Sequence, residues 1–303
     1  MYHGIINVYK EAGYTSHDVV ARMRGICKQK KIGHTGTLDP DAVGVLPVCL
    51  GNGTKLCDLL SEETKEYVAA LRLGIVTDTQ DISGTVLCRK EIDASAEQVR
   101  SAVFSFQGES MQIPPMYSAL KVNGRKLYEL AREGKEIERR PRPITIYKLE
   151  ILKEAHPEYT IKVECSKGTY IRTLCHDIGQ KLGCGGVMAA LTRTRVGRFE
   201  IDKALTLDEL QSLSEKGRLL DAVTSVDDMF EALPALHVKK EGMKALRNGN
   251  QLKTGEFEEI DAKEAADGQK FRVYDGQGIF YGIYGYIRAR RLFCPVKLFM
   301  PEL

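Results

Sequence analysis

No stretch of this chain approaches 18 uninterrupted apolar residues, so no membrane-spanning helix is expected. The opening segment, MYHGIINVYKEAGYTS, has no charged n-region, apolar run or cleavage site, and is not expected to act as a secretory signal. No C-x-x-C pair occurs among the eight cysteines, at 27, 49, 57, 88, 165, 175, 184 and 294. Disulfide scaffolds and zinc sites both favour tighter cysteine spacing, so reduced thiols in a cytoplasmic protein are the expectation. Repeats of fixed period and compositionally biased linkers are missing too. Charge of one sign is scarce overall: 44 Lys and Arg against 41 Asp and Glu leave a net +3. These absences exclude disordered, fibrous and disulfide-framework classes. A chain of 303 residues, 43% hydrophobic and 28% charged, is left as a folded protein of about two domains.

What is present is mixed α and β. Gly4 to Tyr9 reads as a strand ending at the Ala12-Gly13 turn. Ser16 is the expected N-cap of a helix carrying Val19, Val20, Met23 and Cys27 on one face. Glu66 to Leu73 and Ile144 to Lys153 alternate as strands. Tyr159, Ile161, Val163 and Cys165 alternate with polar neighbours, giving a strand with one wet face. The period changes at Gly168 to a helical stripe through Ile171, Leu174, Cys175, Ile178 and Leu182, with Tyr170 and Arg172 at the junction. Ser95 with Gln98 and Thr206 with Glu209 have capping-box spacing. From about residue 236 the texture becomes β-rich. Val238 to Arg247 is expected as one short helix, followed by strands around an Asp275-Gly276 turn. Gly282 and Gly285 suggest a bulge or a close backbone approach there.

Three short constellations and one charge pattern stand out. Residues 33 to 42, GHTGTLDPDA, are turn formers enclosing His34, Asp39 and Asp41. Pro40 restricts the backbone of Asp39 and so fixes where its carboxylate points. By composition alone the loop reads first as a surface Asx-turn, and Asp39-x-Asp41 could hold Mg²⁺, though no further acid cluster completes the shell. Gly51 to Lys55 lacks phosphate-loop spacing. Lys65-Glu66-Tyr67 opens a strand, and Ser166 to Arg172 places an arginine that could pair with a carboxylate and keep it ionised. Spacing alone does not bring Asp39, Tyr67, Tyr170 and Arg172 together. The charge pattern is uneven. Residues 121–148 hold nine Lys and Arg against four Glu, an excess of +5 in one segment. Shorter basic runs sit at Lys28, Lys30 and Lys31, at Arg193, Arg195 and Arg198, and at Arg288, Arg290 and Arg291. With Tyr117, Tyr128 and Tyr147 near the largest run, the pattern leans toward a polyanion partner.

Gly33 to Pro47, Gly51 to Lys55, Lys65-Glu66-Tyr67, Pro114 to Gly124 and Gly168 to Leu174 together resemble the TruB family of tRNA pseudouridine synthases. The order and intervals agree over most of residues 4–200. One departure is Glu11, where the family's opening motif usually has proline. The resemblance implies an α+β fold: a mixed, largely antiparallel sheet flanked by helices, with a small C-terminal PUA-like β-barrel. It implies a catalytic domain over residues 1–235 and an RNA-binding domain over 236–303. The implied reaction converts uridine to pseudouridine at position 55 in the T-arm of tRNA, with no cofactor and no metal. The alternative is a non-catalytic tRNA-binding or chaperone protein. Asp39 matches the family's essential aspartate, which either attacks the nucleotide or assists cleavage through a glycal. Arg172 matches the arginine paired with it, and Tyr67 the tyrosine that stacks on the base. Tyr170 and Leu191 match pocket-lining residues, and His34 a histidine that helps hold the flipped-out loop. Lys55, Lys121 and Arg125 are expected to contact the RNA. Residues 121–148 are expected to form a mobile basic insertion that closes on the T-arm. A monomer is expected, with tRNA as partner.

Overall fold

A computed structural model describes residues 1–122, 124–258 and 265–300. Asn123, within the Pro114–Gly124 motif, and residues 259–264 and 301–303 of the C-terminal region lie outside the described residues. The alternating segments become neighbours in one ten-stranded sheet. Its path runs Val223–Thr224, Gly4–Lys10, Val43–Leu50, Gly186–Val196, Lys65–Leu73, Glu158–Cys165, Arg142–Ala155 and Gly108–Gln112. Ile32–His34 and Phe199–Glu200 pair onto it from the side. Every pairing is antiparallel except one short seam, where Thr192 and Arg193 lie parallel to Val43 and Gly44. Only glycine fits at position 44: its φ is +107°, and a Cβ there would stand 2.3 Å from the Arg193 carbonyl oxygen.

Helices bury their apolar stripes on this sheet. Ala96–Phe104 and Ile171–Lys181 contribute Val99, Val103, Leu174 and Ile178 to a core with Leu71, Ile161 and Val163. Ser16–Cys27 and Leu207–Glu215 contribute Val19, Met23 and Leu210 to a second core with Ile6, Val8 and Leu46. Full burial of each such side chain is worth about 1.5–3 kcal/mol. The boxes at Ser95–Gln98 and Thr206–Glu209 form as the spacing predicts. The first helix differs by one residue. Thr15 is its N-cap, in a box closed by Asp18, and Ser16 instead turns inward, where its Oγ accepts from the Leu38 amide at 2.9 Å. A capping box closed by Asp rather than Glu or Gln does not stand out in sequence, which is why the adjacent serine reads as the cap.

The basic segment is shorter than the charge count implies. Lys121–Val122 and Arg125–Lys126 form a small hairpin, followed by the helix Leu127–Arg132. Arg142 already belongs to the long strand Arg142–Ala155, paired on both edges, so the excursion ends near residue 141. The C-terminal region builds a curled five-stranded sheet of PUA-like half-barrel form. Its order is Ala235–His237, Lys270–Tyr274, Phe280–Ile287, Leu292–Leu298 and Leu252–Lys253. Val238–Arg247 is not one helix. Val238 bridges to Phe257, and the helix is confined to Met243–Arg247, because the backbone of Val238 is used by Tyr274. Gly282 marks the expected close approach: a Cβ would meet the Lys297 carbonyl oxygen at 2.4 Å. Phe280 and Phe299 stack with ring centroids 5.7 Å apart and pack, with Phe230, against the core around Ile5 and Val45.

Candidate active site

The turn-rich loop is held rigidly from below. Lys10, at the end of its strand, is fully buried, and its Nζ donates to the carbonyls of Ala42 at 2.6 Å, Pro40 at 2.8 Å and Glu11 at 3.1 Å. The Gly13 amide donates to Pro40, and the Ala42 amide returns to the Asp39 carbonyl. With both sides of the turn pinned, the Asp39 side chain projects toward the N-terminal end of the Ile171–Lys181 helix. There Arg172 grips it in bidentate fashion, Nε to Oδ2 at 3.0 Å and Nη2 to Oδ1 at 3.2 Å. The same guanidinium donates to the Tyr117 carbonyl at 2.8 Å and lies 3.5 Å from Asp81. Arg172 is itself fixed by the strand-to-helix turn. The buried side chain of Gln112 clamps the Tyr170 backbone, accepting from its amide at 2.8 Å and donating to its carbonyl at 3.0 Å.

These residues border a cavity of about 340 Å³. Asp39, Tyr67, Tyr170 and Arg172, which spacing could not join, all line it, together with Leu191, Lys65 and Arg193. Enclosure raises the Asp39 carboxyl above the ordinary aspartate range. Loss of solvent is the largest cause, Arg172 pulls the other way, and Asp81 adds repulsion. Burial also raises the phenols of Tyr67 and Tyr170.

His34 stands beside the cavity rather than in its wall. Its ring meets His17 edge-on at 5.5 Å, and its Nδ1 accepts from the Gly36 amide at 3.3 Å. Burial, reinforced by His17 and Arg193, pushes its pKa down to about 4, so the ring is neutral at physiological pH. Lys55 is away from the cavity: its Nζ donates to the Leu298 carbonyl at 2.8 Å and ties on the C-terminal strand. Lys121 and Arg125 lie outward on the basic hairpin, where Arg125 pairs with Glu133. Ala119 and Leu120, immediately before that hairpin, do line the cavity. Among the described residues no cluster of three His, Cys, Asp or Glu could hold a metal ion.

Sequence reasoning missed Lys10, Gln112, the burial of Lys65 and the place of Arg193. Arg193 was grouped with Arg195 and Arg198 as a basic surface run, but it is 1% exposed and belongs to the cavity. Arg195 is engaged by Glu164 and Glu66, and Arg198 by Glu231, so this run offers no free basic face.

By sheet architecture and by sequence the chain falls in the class of pseudouridylate synthases. The solved structures agree. A chain of a Cbf5–Nop10–Gar1 complex is similar with a TM-score of 0.70 and 28% identity, over 99% of this chain and 85% of that one. A chain of an H/ACA ribonucleoprotein bound to a substrate RNA containing 2′-deoxyuridine is similar with a TM-score of 0.69 and 26% identity, over 99% and 86%. More particularly, the chain belongs to the TruB family. The model of the TruB family pseudouridylate synthase N-terminal domain matches residues 24–171, and that of the tRNA pseudouridylate synthase B C-terminal domain matches 172–231. The tRNA pseudouridine synthase B of Lachnoclostridium phytofermentans is 51% identical over 98% of this chain and 100% of its own length. That of Alkaliphilus oremlandii is 47% identical over 90% and 89%.

Proposed function

We propose that this chain isomerises uridine to pseudouridine in the T-arm of tRNA, at tRNA position 55. Membership of the TruB family supports the reaction and the tRNA substrate. The observation that carries the site reading is the Asp39 carboxylate, held bidentately by Arg172 in a cavity walled by Tyr67 and Tyr170. A stacked uridine must leave its stack to reach such a carboxylate, so the base is flipped into the cavity. Tyr67 replaces lost stacking, worth about 1–3 kcal/mol per base. Asp39 then acts at the sugar, and Arg172 keeps it ionised against the desolvation that favours its protonated form. Tyr170 and Leu191 shape the pocket, and neutral His34 holds the Gly36 amide and with it the loop. Lys121 and Arg125 meet the phosphate backbone. The reaction breaks C1′–N1 and makes C1′–C5, and no group enters or leaves overall.

On this reading residues 1–235 form the catalytic domain and 236–303 a PUA-like RNA-binding domain. The separate aromatic core around Phe257, Phe271 and Phe293 supports that division. A monomer acting in the cytoplasm fits a soluble substrate of this kind. The test is release of tritium from C5 of uridine in an unmodified tRNA transcript. Release from the T-loop uridine is expected, and none from a transcript carrying cytidine there. No release from either would leave only RNA binding.

A further inference from the structure

Four cations are buried around the cavity, and only one has a carboxylate. Arg172 is ion-paired with Asp39 and Asp81. Lys10, Lys65 and Arg193 are 0%, 7% and 1% exposed, and among the described residues none of them makes an ion pair. Main-chain carbonyls take their protons instead. Lys65 donates to Ser61 at 2.6 Å and Glu63 at 2.7 Å, and Arg193 to Val45 at 2.7 Å and Gly36 at 3.2 Å. Burying a cation without an ion-pair partner is costly, and Lys65 and Arg193, both in the cavity wall, place positive charge there alongside Arg172.

The three are not equivalent. Burial pushes Lys10 and Lys65 down to about 8, so both can shed their charge. A guanidinium cannot. Arg193 is also the one placed by the sheet itself: its backbone forms the parallel seam with Gly44, and it pairs in register with Tyr67 on the other edge. Arg193 lines the cavity, its guanidinium is held by the carbonyl of Gly36 in the same wall, and it pulls the Tyr67 phenol against the effect of burial.

The inference rests on the isomerase reading above. When C1′–N1 breaks, the bonding pair leaves with N1, and the uracil becomes an anion with its charge spread over N1, O2 and O4. This holds whether Asp39 has added to C1′ or has taken the C2′ proton. The charge leaves the ring when C5 bonds to C1′, as Asp39 departs with the C1′–O pair or returns the proton to C2′; loss of the C5 proton and protonation of N1 then complete pseudouridine. We propose that Arg193, the fixed cation of the cavity wall, stabilises this uracil anion while the ring is detached. A fixed cation in a water-poor site requires no reorganisation when the charge appears, which is the condition under which such stabilisation is largest.

The test compares wild type, Arg193→Gln and Arg193→Lys under single-turnover conditions, with enzyme in excess. The substrates are one tRNA transcript made with uridine or with 5-fluorouridine. After nuclease digestion, chromatography with mass spectrometry reads pseudouridine from uridine and, because fluorine cannot leave C5 as the proton does, the C5-linked product hydrated at C6 from 5-fluorouridine. Fluorine at C5 withdraws electrons, so its uracil anion needs less help. Arg193→Gln is expected to slow uridine conversion about 100-fold and 5-fluorouridine conversion by about tenfold or less, with tRNA affinity unchanged. Arg193→Lys is expected to show a smaller slowing with the same bias. Should the glutamine variant fail to fold, the bias in the lysine variant decides. Equal slowing of both substrates would make Arg193 a shaping residue, and a loss confined to affinity would make it a phosphate contact. Either result overturns the assignment. A wild type that converts neither substrate removes the isomerase reading itself, whereas an active wild type without the bias removes only the role of Arg193.

Discussion

The cavity and the basic hairpin beside it hold their charges in opposite ways. Around the cavity, Lys10, Arg172 and Arg193 are buried and locked to carbonyls and, for Arg172, also to the carboxylates of Asp39 and Asp81. On the hairpin and the segment after it, Lys121, Arg125, Lys135 and Arg140 are exposed, and Arg125 and Lys135 share Glu133. The hairpin strands are two residues long each, and Leu127 and Leu130 are the buried apolar anchors of the helix that follows. Buried fixed charges keep their strength in salt and cannot adapt, which suits bond-breaking. Exposed charges are screened within about 8 Å at physiological ionic strength but can follow an RNA backbone. Tyr117 joins the two regions: its carbonyl accepts from Arg172, while the chain just beyond it lines the cavity and enters the hairpin.

The sharpest way to separate the two is Asp39→Asn, which keeps shape and removes one cavity charge. Single-turnover conversion is expected to fall at least ~10³-fold while tRNA affinity stays within about threefold, because the lost charge is local and acts on the reacting sugar. Collapse of binding along with activity would make Asp39 a structural residue and dissolve the contrast between chemistry in the cavity and affinity on the hairpin.

A pH profile sharpens the same contrast. Asp39 must be ionised to act, and its carboxyl is raised above the ordinary aspartate range. Conversion therefore falls about tenfold per pH unit below a midpoint that lies higher than the free-aspartate value of about 3.9. His34 adds no limb near 6.5, since its folded pKa is about 4. Its contribution to stability has the matching sign. Between about 6.5 and 4 the unfolded chain binds the proton that the folded chain refuses, so stability present above 6.5 is lost as pH falls. A limb near 6.5 that disappears in His34→Gln would show His34 titrating there and contradict the geometry of the Gly36 contact.

Much of the cavity was legible because its chemistry sits in turns. Asp39 before Pro40 and Arg172 after the Gly168 turn break the local period and draw the eye. Arg193 could not be read in the same way. Period-two reasoning assigns Leu191, Arg193 and Arg195 to one face, but a register shift between Arg193 and Arg195 takes Arg195 to Glu66 while Arg193 stays opposite Tyr67. Alternation also treats a charged residue as the wet side of a strand, so Lys10 and Lys65, buried with carbonyl partners, pass as surface lysines. The strand pairings that make them internal are long-range, and no local pattern carries that information. The mixture of α and β was accessible from periodicity, whereas the largely antiparallel sheet, broken by one two-residue parallel seam, followed from the family resemblance and not from any local pattern.

Changes on the hairpin are expected to be milder and to show in salt dependence. Lys121→Ala with Arg140→Ala removes two exposed cations. Each lost phosphate contact lowers the slope of log affinity against log salt by about one, so the double variant is expected to lose up to about two. The conversion rate at saturating enzyme should be unchanged. Filter binding across a salt series, paired with single-turnover rates, reads both quantities. A reduced rate at saturation with an unaltered slope would mean that the hairpin charges act on the cavity and not on the RNA backbone.

The smallest effect expected is on protection rather than on rate. The segment from Lys121 to residue 141 carries several exposed Lys and Arg, and its hydrogen-bonded structure is one short hairpin and one six-residue helix. Few buried apolar contacts and an exposed backbone are the features of a segment that opens locally at low cost. Trypsin is therefore expected to cut there first in the free protein. The buried cations of the cavity, Lys10 and Arg193, should resist until global unfolding. Bound tRNA covers the hairpin and slows the early cuts in proportion to occupancy. Equal cleavage with and without tRNA would detach the hairpin from RNA binding. Early cleavage after Arg193 in the free protein would instead show that the parallel seam, and the charge it holds, opens as easily as the surface does.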